Sequence, residues 1–216
     1  MKTTFQDRRE AGRLLAHRLE EFARRPGVIV LALPRGGVPV AQAVAEALQL
    51  PLDVLVVRKL GVPGQEELAF GAIASGGVQV LNSEIVEAHG LSGRAIAAVA
   101  KSEGRELARR ERAYRGARPP PVVRGRTVIL VDDGIATGAT VRAALLALRH
   151  LGAAAVVVAA PIIAPDTLAA LQAEANRVVA ALVPGDFAGV GQWYEDFSQT
   201  TDEEVCAALA ATPPAG

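Results

Sequence analysis

The sequence predicts an α/β fold of three layers, in which a mostly parallel sheet lies between two layers of helices. Short apolar runs rich in β-branched residues have the length of strands and are apolar at successive positions, as strands buried on both faces are. These runs span residues 28–33, 52–57, 127–131, 154–159 and 178–183. Helical patterns lie between several of them, at residues 39–48, 141–151 and 165–175. Alternating strands and helices favour parallel pairing.

Composition predicts a soluble globular protein with one core. The chain has 216 residues, 50% apolar side chains and a formal net charge of +0. We expect a single domain over residues 1–216, with a core at about 26–183 and a small hood at about 184–201. Balanced charge argues against nucleic-acid binding by the whole surface.

Cysteine usage and hydropathy indicate a cytoplasmic protein. The single cysteine, Cys206, excludes a disulfide framework and a multi-thiolate zinc site. No apolar stretch at the amino terminus has the length of a signal peptide, and no apolar run reaches membrane-spanning length. We therefore expect neither export nor membrane insertion, and we interpret His17, His89 and His150 as structural.

Segments outside the strand–helix alternation complete the predicted architecture. An amphipathic helix is expected over residues 5–25, with Thr4 and Asp7 at a capped start. A hairpin attached to the sheet is expected at 70–74 and 78–81, followed by a long helix over 93–114 with Ser92 as its cap. A capping-box pattern from Thr201 to Glu204 opens the last helix.

The most specific chemical signal follows the apolar run that ends at Val131. Two adjacent acids, Asp132 and Asp133, come at its carboxyl end, where open α/β sheets bind ligands. Their diverging carboxylates can accept charge-assisted hydrogen bonds from adjacent hydroxyls of one sugar. The small residues and hydroxyls up to Thr140 then open a helix, whose free N–H groups suit a phosphate. A turn whose acids only cap a helix is the structural alternative.

This segment resembles the phosphoribosylpyrophosphate (PRPP) signature of the type I phosphoribosyltransferases, which have a Rossmann-like fold. The resemblance implies that Asp132 and Asp133 hold the ribose hydroxyls and bind Mg²⁺, at least in part through water. It also implies that the next loop encloses the 5-phosphate. The residues of that loop are Ile135, Ala136, Thr137, Gly138, Ala139 and Thr140.

A second turn follows the first predicted strand and ends in Arg35, Gly36 and Gly37. Two glycines let backbone amides approach a ligand closely, and an arginine suits pyrophosphate. In the family that it resembles, the equivalent loop binds pyrophosphate and often contains a cis peptide bond. Taken alone, Arg-Gly-Gly is also a common turn.

Arg58 and Lys59 end the next predicted strand and open a loop rich in glycine and proline. This segment is similar to the one that leads into the mobile catalytic loop of adenine and orotate phosphoribosyltransferases, so both cations are expected at pyrophosphate. The usual lysine-rich or Ser-Tyr forms of that loop are missing here. Glu66 and Glu67 suit a solvated face at least as well as a chemical role.

Aromatic residues concentrate near the carboxyl terminus. Phe187, Trp193, Tyr194 and Phe197 are four of the eight aromatic residues in the chain. The segment resembles the hood of purine phosphoribosyltransferases, which implies that Phe187, Trp193 and Tyr194 bind the base. A satellite apolar cluster that packs the last helix is the alternative, and both roles can coexist.

The resemblance implies a magnesium-dependent transferase that moves the 5-phosphoribosyl group of PRPP to a nitrogen acceptor, most simply a nucleobase. Asp132, Asp133, Arg35 and Lys59 are the expected catalytic residues, and Ala136 stands where the hypoxanthine and guanine branch often has an acid. The alternative is a non-catalytic PRPP-sensing regulator that binds nucleic acid or a protein through the arginine-rich segment 105–126. Interleaved glutamates favour a solvated helix for that segment. The sequence leaves open whether the protein forms a homodimer.

Overall fold

The computed structural model of the chain describes residues 4–116 and 118–212. The strands are β1 (Val28–Ala32), β2 (Leu52–Val54), β3 (Val57–Val62), β4 (Gln65–Ala74), β5 (Val78–Leu81), β6 (Thr127–Val131), β7 (Ala155–Ile162) and β8 (Arg177–Leu182). The helices are α1 (Arg8–His17), α2 (Gly37–Leu48), α3 (Ser83–Ala88), α4 (Gly93–Arg115), α5 (Ala139–His150), α6 (Pro165–Glu174) and α7 (Asp202–Ala210). Two short 3₁₀ helices lie at Glu20–Phe22 and Val190–Trp193.

Five strands form a parallel sheet in the order β2-β1-β6-β7-β8. Side chains of β1 alternate between two apolar cores, with Val28 and Val30 in one and Ile29 and Leu31 in the other. The first core includes residues of α1, α2 and α7, and the second includes residues of α5 and α6. Helices therefore cover both faces of the sheet, which confirms the predicted three-layer α/β fold.

A second, antiparallel sheet in the order β3-β4-β5 corrects two sequence predictions. The predicted strand 52–57 is broken, because β2 ends at Val54 and β3 begins at Val57. Between them the Val56 carbonyl accepts a hydrogen bond from the Ser75 N–H, 2.9 Å away, which turns the chain out of the parallel sheet. The predicted hairpin therefore belongs to this second sheet and is not attached to the parallel one.

The amino-terminal helix is shorter than the predicted 5–25. It begins at Arg8, and its cap is Asp7, whose carboxylate accepts from the Glu10 N–H at 2.7 Å; Thr4 does not cap it. Leu15, Leu19 and Phe22 are buried as the pattern predicts, but the last two lie beyond the end of α1. Ahead of the helix, Phe5 forms an isolated parallel bridge with Tyr194.

The later helices follow the sequence closely. The Ser92 side chain caps α4, and Thr201 with Glu204 forms the predicted capping box of α7. A buried ion pair between Arg115 and Asp53, 2.6 Å apart, joins the end of α4 to the edge strand β2. None of the helices in the described ranges combines the length and the apolarity that a membrane crossing requires. The single domain with a hood at 184–201 remains a prediction.

Candidate active site

Asp132 and Asp133 lie directly after the buried strand β6, at the carboxyl edge of the parallel sheet. The Asp133 N–H donates to Asp132 Oδ1 at 2.9 Å, so the first carboxylate is held by the backbone of the second. Burial, and then the nearby Asp133 charge, raise the pKa of the Asp132 carboxyl well above its ordinary value. Two carboxylates this close would favour a ligand that brings positive charge or hydroxyl donors.

The Pro34–Gly37 turn at the end of β1 packs directly against these acids. A Cβ atom added at Gly36 would lie 2.1 Å from Asp133 Oδ2, and one added at Gly37 would lie 2.7 Å from the Val131 carbonyl oxygen. Both glycines are therefore required by the close approach of two neighbouring turns. The Pro34–Arg35 peptide bond is cis.

The loop between Asp133 and α5 has the geometry of a helix amino terminus. Gly138 adopts a left-handed conformation with φ of 74°, and α5 begins at Ala139. Arg142 Nη1 donates to the Thr137 carbonyl oxygen at 2.9 Å, which holds the loop in place. The side chain of Ile135 is buried in the core, and its N–H donates to the Ile162 carbonyl oxygen at 2.8 Å, so the structure does not offer this predicted phosphate-binding residue to a ligand. Free N–H groups at such an end suit a phosphate.

Two cavities meet at Thr140. One, of about 350 Å³, is lined by Arg35, Gly36, Asp132 and Asp133 together with hood residues. The other, of about 660 Å³, is lined by Thr137 and Ala139 and by Arg58 and Lys59 of the second sheet. The two cavities together bring most of the sequence-predicted sugar, phosphate and pyrophosphate residues to one continuous region.

Arg58 and Lys59 are located differently from the prediction. Both lie inside strand β3 of a hairpin whose turn is at Pro63 and Gly64, so the predicted mobile loop is an antiparallel hairpin. Each cation has an acidic partner, with Arg58 2.6 Å from Glu103 and Lys59 2.9 Å from Glu67. Glu67 is 88% exposed, as a solvated face requires, yet it also neutralises Lys59.

The hood aromatics divide between packing and the cavity. Trp193 and Tyr194 are only 5% and 6% exposed, and they form an apolar cluster with Phe5, against which Phe187 also packs. The faces of Trp193 and Tyr194 are therefore used for packing, which corrects the expectation of an open stacking surface. Phe197, 39% exposed, is the aromatic side chain that lines the 350 Å³ cavity.

Tyr194 connects the hood to the acid pair. Its hydroxyl donates a hydrogen bond to the Asp133 carbonyl oxygen at 2.6 Å. Burial, followed by the charge of Asp133, raises the pKa of this phenol above its ordinary value, so it remains a donor. Tyr194 thus fixes the backbone at the point where the two carboxylates diverge.

Arg8 is the main site residue that the sequence analysis missed. Its Nε donates to Asp133 Oδ2 at 2.9 Å, and its Nη1 donates to the Ser198 carbonyl oxygen at 2.7 Å. Its guanidinium also lies 4.0 Å from the centre of the Phe197 ring. No local pattern could reveal this contact, because Arg8 and Asp133 are 125 positions apart.

Asp202 is a second residue that the sequence analysis missed. Arg35 Nη1 lies 3.5 Å from Asp202 Oδ1, and the same oxygen accepts a hydrogen bond from the Tyr114 hydroxyl at 3.1 Å. Helix α7 and the end of α4 therefore support the Arg35 side chain.

Three of the eight arginines in the segment 105–126 form ion pairs within the described ranges. Arg109 and Arg110 both bind Glu106, at 2.8 and 2.7 Å, and their hydrogen bonds lower the pKa of Glu106 to about 2. Arg115 is buried against Asp53. Glu106 and Asp53 therefore offset part of the positive charge that a nucleic-acid surface would need.

Comparison with known proteins gives a consistent result. A family model described as "Phosphoribosyl transferase domain" matches residues 4–187. A protein of Mycobacterium tuberculosis strain H37Rv, provisionally named a phosphoribosyl transferase, is 51% identical over 205 residues, which are 95% of this chain and 46% of that protein. Its counterpart in strain CDC 1551 has the same identity and coverage. The chain thus spans about half the length of these curated relatives.

A solved structure extends the similarity to the fold. The crystal structure of the protein TT1426 from Thermus thermophilus has a TM-score of 0.89 and 43% sequence identity. The alignment covers 97% of this chain and 99% of that one.

Proposed function

The chain belongs to the phosphoribosyltransferase family, and from that membership we propose that it transfers the 5-phosphoribosyl group of PRPP to a nucleobase nitrogen, releasing pyrophosphate. One observation carries the proposal. The acid pair after β6, the Pro34–Gly37 turn after β1 and the amino terminus of α5 lie at one edge of the parallel sheet. A diol, a pyrophosphate and a phosphate can be bound together there.

The sugar and its phosphate are oriented by the acid pair and the loop that follows it. Asp132 and Asp133 accept hydrogen bonds from the ribose hydroxyls, each with charge assistance. The 5-phosphate is bound by backbone N–H groups of residues 136–140 and by the Thr137 and Thr140 hydroxyls, at the positive end of the helix dipole. Holding both ends of the sugar fixes C1 for attack.

The leaving pyrophosphate is neutralised by cations from two sides. Arg35, with the N–H group of Gly36, approaches from the turn after β1, and Arg58 and Lys59 approach from the hairpin. The Gly37 N–H donates to the Leu33 carbonyl oxygen at 3.1 Å, so Gly37 serves the turn itself. Because Glu103 and Glu67 pair with the two hairpin cations, pyrophosphate must replace those partners. Charge that develops on the leaving group thereby strengthens these contacts in the transition state.

The acceptor is proposed to enter the 350 Å³ cavity, whose lining includes the partly exposed Phe197 ring and the Arg8 guanidinium that lies over it. The packed cluster next to Phe197 supports this side of the cavity, and it includes Phe187, Trp193 and Tyr194. The acceptor nitrogen forms a bond to C1 while the bond from C1 to the pyrophosphate oxygen breaks, and its proton departs to water or pyrophosphate. Ala136 offers no basic group for that proton.

Mg²⁺ fits this donor set only together with the substrate. Within residues 4–116 and 118–212, no group of three or more His, Cys, Asp or Glu side chains could hold a metal by itself. Mg²⁺ commonly binds one or two carboxylates plus substrate phosphate oxygens and water. We therefore propose that Asp132 and Asp133 would hold it, in part through water, where it would offset charge on pyrophosphate.

Pyrophosphate release tests the proposal. The protein is incubated with Mg²⁺, PRPP and each base of a purine and pyrimidine panel, and pyrophosphate is measured with a coupled enzyme. We expect base-dependent release from the wild type and none above background from the Asp132→Asn, Asp133→Asn double variant. PRPP binding without release for any base would favour the regulator, and absence of both would contradict both hypotheses.

A further inference from the structure

The 660 Å³ cavity has a charge balance that does not favour an anion. Two cations line it, Arg58 and Lys59, together with three carboxylates, Glu66, Glu67 and Glu103. The formal charge of the lining is therefore negative, although the leaving group proposed to bind there is pyrophosphate. Like charges brought together across a binding site weaken binding, so these carboxylates must affect the affinity for that ligand.

The three carboxylates are engaged differently. Glu66 accepts a hydrogen bond at 3.1 Å from a backbone N–H of the hairpin turn, so it holds the turn itself. Glu67 lies 2.9 Å from Lys59, but its side chain is 88% exposed and water screens the pair. Glu103 lies 2.6 Å from Arg58, and the two side chains are only 27% and 32% exposed. Glu103 is therefore the carboxylate that most strongly occupies a cation of the cavity.

The geometry of the Arg58–Glu103 pair resembles that of a bound phosphate. The Nε and Nη2 atoms of Arg58 both lie 2.6 Å from Glu103 Oε2. These two nitrogens form an edge of the guanidinium that binds carboxylate or phosphate oxygens through parallel hydrogen bonds. A phosphate oxygen can therefore use this edge only after Glu103 has left it.

We infer, on the basis of the proposed function, that Glu103 competes with pyrophosphate for Arg58 and thereby limits how tightly the cavity holds this product. When pyrophosphate binds Arg58, the ion pair breaks and the Glu103 carboxylate is left beside an anion, which lowers the affinity. When pyrophosphate departs, the ion pair forms again and Arg58 keeps a partner. A product that is held less tightly is released sooner, and product release limits the turnover of many enzymes.

Calorimetric titration with inorganic pyrophosphate, first with a metal chelator and then with Mg²⁺, tests this competition. Glu103→Gln removes the charge and keeps the shape of the side chain. Glu111→Gln is the matched control, because Glu111 is on the same helix and lines neither cavity of the candidate active site. We expect Glu103→Gln to bind metal-free pyrophosphate about three- to tenfold more tightly than the wild type and the control do. The gain should be smaller with Mg²⁺, which offsets charge on the ligand.

A gain in affinity separates competition from a structural role, because a damaged fold weakens binding. Glu67→Gln changes an exposed side chain in a screened pair, so it should alter the affinity by less than about twofold. Glu103→Asp keeps the charge on a shorter side chain and should give a smaller gain than Glu103→Gln. It provides the same comparison should Glu103→Gln fail to fold.

Unchanged affinity in Glu103→Gln, with pyrophosphate bound by the wild type, would overturn the competition and leave the proposed function in place. Weaker binding by Glu103→Gln would also overturn it, and a loss confined to Mg²⁺ would make Glu103 a ligand of metal-bound pyrophosphate. Absence of pyrophosphate binding by every protein, with and without Mg²⁺, would contradict both the competition and the pyrophosphate site of the proposed function.

Discussion

Single side chains determine how Asp133 is presented to a ligand. Its Oδ2 is held by Arg8, its carbonyl oxygen by the Tyr194 hydroxyl, and its carboxylate packs against Gly36 where a Cβ atom cannot fit. Groups that form hydrogen bonds to a ligand-binding carboxylate or to its backbone restrict the orientation of that carboxylate before the ligand binds. Arg8 is therefore a positioning residue in this account, acting on PRPP through Asp133.

Replacing Arg8 tests that role. Arg8→Ala should weaken PRPP binding by about ten- to a hundredfold, the usual range for loss of a partner behind a ligating group. Arg9→Ala is the matched control, since Arg9 is the next residue and pairs with Glu46 on the exposed surface at 3.1 Å. Calorimetry with PRPP and Mg²⁺ should show no change for the control; equal losses in both variants would make Arg8 a stabiliser of α1 only.

We propose that Arg35 acts on the leaving group rather than on the sugar. Arg35→Ala removes charge-assisted hydrogen bonds and should lower pyrophosphate affinity by about ten- to a hundredfold. Affinity for ribose 5-phosphate, which has no pyrophosphate, should change little. Competition of each ligand against PRPP measures both, and a similar loss for the two ligands would make the Arg-Gly-Gly turn a structural element.

At the scale of elements, the hood is built from two distant parts of the chain. The Phe5 N–H donates to the Trp193 carbonyl oxygen and the Glu195 N–H donates to that of Phe5, both at 2.8 Å. The rings of Tyr194 and Phe197 stack 5.2 Å apart. Phe5 therefore holds the buried Trp193 and Tyr194 side chains in a packed cluster. Phe197, which stacks on Tyr194, is the partly exposed aromatic residue of this region.

The two sides of the hood predict different mutant phenotypes. Trp193→Leu leaves a void in a packed cluster and should lower the free energy of unfolding by about 1–3 kcal/mol. Phe197→Leu changes an exposed ring and should shift stability by no more than about 0.5 kcal/mol while raising the acceptor KM. Urea unfolding and steady-state kinetics measure both. A stable Trp193→Leu protein with a raised acceptor KM would instead put the base against Trp193.

At the scale of the whole molecule, the parallel sheet was predictable because its strands are buried on both faces and therefore read as continuous apolar runs. The acid pair was predictable because it directly follows such a run. The break after Val54 was not, since residues 52–57 are apolar throughout except Asp53, and the turn depends on pairing with Ser75. The Arg8–Asp133 contact joins elements that only the finished fold brings together.

We propose that this fold binds PRPP through the acid pair after β6. The most direct test is calorimetric titration of PRPP, with Mg²⁺, into the wild type and the Asp132→Asn, Asp133→Asn double variant. Each charge-assisted hydrogen bond contributes about 1.5–3 kcal/mol, so the double variant should bind PRPP about two to four orders of magnitude more weakly. A double variant that remains folded and binds PRPP as tightly as the wild type would contradict the assignment of Asp132 and Asp133.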